Sequence, residues 1–256
     1  MAELLVVPAL LAYAEAAFAY LRELRGPGVA GRLAIWGVRL GWLAQTALLA
    51  GQALSADGFP WGTWAGSLNL FVWLVVGAYL IWGCTPRYRL LGLAVMPLAA
   101  LLLAAAWAGG GTGFGAGADS GAVLAVHAGL MLAGFAGLTL AAGMAGLYLW
   151  QERRLKRHER RVLRVRFPPL DALDRLSART VAVSLVLLVL GIGAGASRLE
   201  RDELDAAMVV TFLVLAVYSA LLVLRHEGWR GRRAARVGLA GFALVAVALP
   251  ITHFAG

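Results

Sequence analysis

A single cysteine, Cys84, leaves no partner for an internal disulfide, and the lack of any CxxC or CxxCH excludes both a thiol–disulfide carrier and a c-type cytochrome. Charge is equally scarce: 14% of the 256 residues are charged, where a soluble domain carries about 25%. Lysine is reduced to Lys156 against 22 arginines, a bias that suits a GC-rich bacterial genome. No arrangement of nucleophile, base and oxyanion donors emerges, and the acids gather in a solvated loop without zinc-type or two-metal spacing. A binding role, not catalysis, is therefore expected.

What the chain has instead is apolar surface. Hydrophobic residues make up 61%, and mean hydropathy is +0.78. They fall into blocks near the roughly 20 residues that a membrane-spanning helix needs. Eight spans are predicted, at 3–21, 34–54, 66–82, 88–108, 122–150, 179–198, 207–225 and 237–254, forming one all-α membrane domain over residues 1–256. The first block opens Met1-Ala2-Glu3, without the positive region of a secretory signal, and is read as a retained helix.

The net charge of +9 would suggest nucleic acid in a soluble protein, but here it reads as topology. Twenty of the 23 basic residues fall on one face of the predicted span pattern, ten of them between Arg153 and Arg179. The positive-inside rule makes that face cytoplasmic and puts both termini outside. The expectation is a multi-pass bacterial plasma-membrane protein with no nucleic-acid partner. Within the long basic loop, WQERRLKRHERRVLRVR reads as a helical continuation of span five that stops before Phe167-Pro168-Pro169. It is expected to touch anionic lipid or, alternatively, a cytoplasmic partner. The outer glycine-rich stretch 109–121 has no preceding strand and no GK[ST], so it reads as a flexible connector and not a phosphate loop. In span five, Gly129, Ala133, Gly137, Ala141 and Ala145 form a small-residue stripe for close helix packing.

Ionisable residues inside spans are expensive and need an explanation. Glu15 and Arg39 lie at similar depth in the first two spans, where an ion pair stitching the first hairpin competes with a proton or ligand role. A proton-coupled transporter is less supported, because no span is visibly broken and no halves repeat. His158 and His226 fall on the cytoplasmic side as surface residues. His127 and His253 both approach the outer face, where helix–helix hydrogen bonding competes with axial ligation of a haem iron. A haem needs ring walls, iron ligands and cations for its propionates. That face offers Trp61 and Trp64, the two histidines, and Arg198 and Arg201.

Four stretches carry a resemblance that covers nearly the whole chain: GFPWGTWAGSLNLFVW at 58–73, VHAGLMLAGFAGLTLAAGMAGLYLWQERRLK at 126–156, LDALDRLSARTVAVSLVLLVLGIGAGASR at 170–198 and VYSALLVLRHEGWRGRRAA at 217–235. A histidine opening a long span that ends in YLxQxRxLK, followed by LxxLDRLSxR, resembles the membrane family of cytochrome c assembly proteins, CcsA and CcmC, and especially its short eight-span HemX-like branch. The resemblance implies outer-face binding of non-covalent haem b, with His127 matching the first family histidine and His253 the second. The family's WWD-type loop falls on 199–205, where Asp205 aligns with the acid but the tryptophans are absent, and Val223 stands where another family histidine belongs. These departures favour the HemX-like branch, which is associated with haem biosynthesis and the level of glutamyl-tRNA reductase. Two partner classes follow: other cytochrome c assembly components, or a haem-biosynthesis enzyme engaged by the basic loop of a regulator without bound haem.

Overall fold

The structure, a computed structural model, describes residues 2–23, 29–56, 59–83, 85, 88–114, 121–157, 168–196 and 206–255. It is a bundle of helices: α1 (Ala2–Glu23), α2 (Ala30–Ser55), α3 (Trp64–Gly83), α4 (Gly92–Ala108) preceded by the 3-10 turn Arg89–Leu91, α5 (Ala122–Lys156), α6 (Leu170–Ala196), α7 (Ala206–His226) and α8 (Arg232–Ala255). No β-strand occurs among the described residues. Helices α1 to α7 each carry a window long and apolar enough to cross a membrane. The 24 residues of α8 rise roughly 36 Å, enough for a hydrocarbon core of about 30 Å.

Two four-helix rings result. The first closes through the α1–α2, α2–α3, α3–α4 and α4–α1 contacts, the second through α5–α6, α6–α7, α7–α8 and α8–α5, and α3 against α5 joins them. The first ring is filled by Tyr13, Tyr20, Val76, Tyr79, Met96 and Leu103, the second by Leu138, Leu188, Val214 and Tyr218. Because lipid replaces water around such a bundle, close packing and hydrogen bonds do the work that burial does in solution. Trp42 and Trp73 stack at 5.3 Å between α2 and α3. Tyr218 donates to the Gly238 carbonyl across α7 and α8 at 2.9 Å.

The small-residue stripe works where it meets α6. A Cβ on Gly137 would lie 2.1 Å from Ser184 Oγ, and one on neighbouring Gly134 would lie 2.7 Å from Leu188 Cδ2. Ser177 Oγ donates to the Ala141 carbonyl one turn further along. Gly129 faces open space and takes no part.

Two boundaries differ from those predicted. The helix α5 ends at Lys156, not near Arg166: Arg157 is a turn whose N–H bonds back to the Arg153 and Arg154 carbonyls. Arg153, Arg154, Lys156 and Arg157 crowd like charge into this turn, and among the described residues Glu152 answers it by pairing with Lys156. Residues 158–167, including His158, lie outside the described residues. In the other direction α6 starts nine residues early, at Leu170, because Leu173 and Leu176 bury an apolar stripe beneath the charges of Asp171 and Arg175. Pro169 sets its first turn, accepting from the N–H groups of Ala172 and Leu173.

The stitch expected between Glu15 and Arg39 is also placed elsewhere. Glu15 is exposed on α1, while the Arg39 guanidinium lies over the Trp36 ring at 5.2 Å. The described ion pair that ties α1 to the bundle is Glu23 with Arg89, under the buried hydroxyl pair Tyr20 and Tyr79 at 2.7 Å.

Candidate functional site

Arg22, Arg32, Arg89, Arg153, Arg179 and Arg225 collect at one end of the bundle, the basic end. The opposite end carries the tryptophan loop, the glycine-rich loop and the start of α5. There, three buried carboxamides organise the chain. Gln52, on α2, donates to the Gly111 and Gly113 carbonyls at 3.1 and 2.9 Å and accepts from Trp61 Nε1 and Asn69 Nδ2, both at 3.2 Å. Gln45 continues the network inward, donating to Asn69 Oδ1 and accepting from the Tyr13 hydroxyl. Side chains of this type sit in an apolar span only when every donor and acceptor is answered.

The glycine-rich loop is accordingly no free connector over residues 109–113. Gly111 is buried with its α-carbon against the backbone of Ala65 and Gly66, and Gly110 has φ +78°. The glycines permit a close approach that a side chain would block. Residues 115–120 lie outside the described residues.

This network presents the tryptophans. Trp61 is half-buried, edge-on to Phe59 at 5.5 Å, with its N–H held by Gln52. Trp64 packs its ring edge on Gly109 and leaves 47% of its surface exposed. Sequence reasoning found both rings but missed Gln45, Gln52 and Asn69, because an uncharged amide barely perturbs hydropathy. Polar residues within apolar runs on α2 and α3 were the available signal. Replacing Gln52 with Leu strands the Gly113 carbonyl and the Trp61 N–H, and is expected to cost about 2–3 kcal/mol at roughly 1–3 per buried group left unsatisfied. Thermal unfolding in detergent checks this, with the exposed Ser55→Ala as the neutral comparison.

In the second ring His127 stands one and a half turns inside α5. Its Nδ1 lies 2.7 Å from the Gly191 carbonyl of α6. A carbonyl only accepts, so Nδ1 is the donor, and in the neutral ring Nε2 keeps its lone pair. Gly195 makes the seat: a Cβ there would fall 2.6 Å from Nδ1. His253 lies on the last turn of α8, which runs antiparallel to α5. Tyr148 packs on Gly231 near the basic end, and the rise from each to its histidine is roughly 32 Å at about 1.5 Å per residue. The two histidines thus share a level, with the His253 backbone described and its side chain not. Arg198 and Arg201 lie outside the described residues. Trp61 and Trp64 belong to the first ring and His127 to the second. Among the described residues no three His, Cys, Asp or Glu side chains converge on one point. Val223 is 60% exposed on the outside of α7, so a histidine at that position would point away from the bundle.

The family model described as Cytochrome C assembly protein matches residues 61–254. The chain is 32% identical over 134 residues to inner membrane protein YpjD of Escherichia coli K12, covering 50% of this chain and 49% of that one. It is 28% identical over 223 residues to protein HemX of Brevibacillus brevis, covering 84% of this chain and 82% of that one. The chain spans about half the length of the YpjD relatives that it matches. No solved structure matches.

Proposed function

The chain belongs to the cytochrome c assembly protein family, and from that membership we propose that it is a haem-handling protein of the bacterial plasma membrane that holds non-covalent haem b between His127 and His253. Family and relatives together support a membrane role connected with haem, and an assembly or carrier role instead of catalysis. The positive-inside rule puts the basic end in the cytoplasm and the histidines outside.

The observation that carries the reading is the His127 seat. A metal-binding imidazole needs a fixed ring and a free nitrogen, and the Gly191 carbonyl supplies the first while leaving Nε2 as the second. Gly195 lets the ring lie flush on α6, which aims it by packing as well as by hydrogen bonding. In this reading His253 supplies the second imidazole, Trp61 and Trp64 cover ring surface, and Arg198 or Arg201 meets the propionates. If haem binds here, His127 and His253 would hold its iron through neutral imidazole nitrogens, and the iron would supply the redox chemistry.

Haem added to the purified protein is expected to give a low-spin, bis-imidazole visible spectrum that vanishes in His127→Ala/His253→Ala. Equal binding by the double variant and the parent would sink the assignment. A regulator acting through its basic loop is the second reading, favoured by the HemX likeness over 84% of the chain. Deleting 153–166 would then change the amount of a haem-biosynthesis enzyme in cells, and the histidine variants would not.

A further inference from the structure

At the basic end, α6, α7 and the turn into α8 enclose a second polar site. Asp174, 10% exposed, takes both arms of Arg225: Nη1 to Oδ1 at 3.0 Å and Nη2 to Oδ2 at 2.6 Å. The Gly231 N–H adds a third bond to Oδ1 at 3.1 Å, and Nη2 also reaches the Asp174 carbonyl at 3.1 Å. Both carboxylate oxygens of Asp174 are therefore engaged, and its charge is paired.

Beside this clamp opens a cavity of about 340 Å³, lined on α6 by Asp171, Arg175 and Arg179, on α7 by Arg225 and His226, and beyond α7 by Arg230. Its volume falls within the range of about 300–1,000 Å³ usual for ligand sites. Asp171 pairs with Arg175 one turn away on the exposed face of α6. With Asp174 committed to Arg225, two guanidinium groups remain, and among the described residues neither Arg179 nor Arg230 has an ion-pair partner. Four arginines thus face two carboxylates around one hollow whose apolar lining is Ala178 and Leu222. Such a surplus over a low-dielectric lining concentrates positive potential and draws an anion.

We propose that this cavity binds a phosphate group, with Arg179 and Arg230 as the fork donors and the Asp174–Arg225 clamp as the frame that holds α6 and α7 apart at the right width. Guanidinium matches phosphate in shape and charge, making two parallel hydrogen bonds where ammonium makes one. The place in the fold favours a phospholipid headgroup: the cavity sits at the basic ends of the spans Leu170–Gly195 and Met208–His226, and basic pockets between spanning helices take anionic headgroups. A free phosphate from solution has the same chemistry.

The test uses the full chain in nanodiscs of phosphatidylcholine alone or with one-fifth phosphatidylglycerol, and reads retained lipid by native mass spectrometry. The expected result is retention of phosphatidylglycerol that falls at least tenfold in Arg179→Gln/Arg230→Gln. Arg233→Gln, which removes a basic-end arginine that lies over Trp229, should keep it. Inorganic phosphate at millimolar levels is the second arm. If it displaces the lipid, or alone raises the unfolding temperature of the parent and not of the double variant, the site takes soluble phosphate as well. Failure to displace assigns it to the headgroup. Equal retention by parent and double variant, together with no effect of phosphate on either, overturns the proposal. Unchanged circular dichroism of the double variant separates lost binding from lost fold.

Discussion

Replacing Asp174 with Ala is expected to destabilise the protein by about 3–5 kcal/mol, the cost of leaving a buried guanidinium without its counter-charge. The Arg225 side chain is 14% exposed, so water replaces the lost carboxylate only in part. The same change frees the Gly231 N–H, at φ +66° in the turn that starts α8, and so loosens three elements at once. Unfolding in detergent should shift down by on the order of 10 °C, at a few degrees per kcal/mol for a chain of this size. The double variant Asp174→Ala/Arg225→Leu should recover much of the loss, because it removes the orphaned charge along with its partner. A single variant as stable as the parent would show that the clamp contributes nothing.

The second large effect is expected at the opposite end. A side chain at Gly111 would put its Cβ 2.1 Å from the Ala65 carbonyl carbon and 2.6 Å from the Gly66 nitrogen. Both are backbone atoms that no rotamer change can move, so Gly111→Val must push the first turn of α3 away. Overpacking of this kind costs about 3 kcal/mol. It would also displace Trp61 and Trp64, which flank that turn. Gly113→Val makes the comparison: its Cβ would meet only the Gly110 carbonyl, at an ordinary 3.5 Å, and its stability should match the parent's. Equal losses in the two variants would mean that the close approach is not what demands glycine.

Hydropathy and charge located the helices because a span is defined along the chain, by length and by an apolar run. Apart from the end of α5 and the start of α6, the expected boundaries lie within about five residues of the helices for that reason, including the glycine-rich exit of α4 and the start of α5. The early start of α6 was hidden because Asp171, Asp174 and Arg175 interrupt the apolar run, and only the burial of Ala172, Leu173 and Leu176 along one side shows the helix continuing beneath them. The family, too, was legible, in the histidine that opens α5 and the LxxLDRLSxR segment of α6, and residues 61–254 bear it out.

The candidate site was legible only in part. Counting at about 1.5 Å per residue gives the depth of each polar group, and on depth alone His127 and His253 share a level and Glu15 matches Arg39. Depth does not say which way a side chain faces. Packing of α5 on α6 gave His127 the Gly191 carbonyl, closure of the first ring brought Gln52 and Asn69 to one glycine loop, and Glu23 met Arg89 while Glu15 turned outward. The order and length of the spans follow from the chain itself, because the cost of polar groups in lipid is paid residue by residue. Which polar groups meet is decided by rotation of each helix about its axis, and that rotation is set only when neighbouring helices pack.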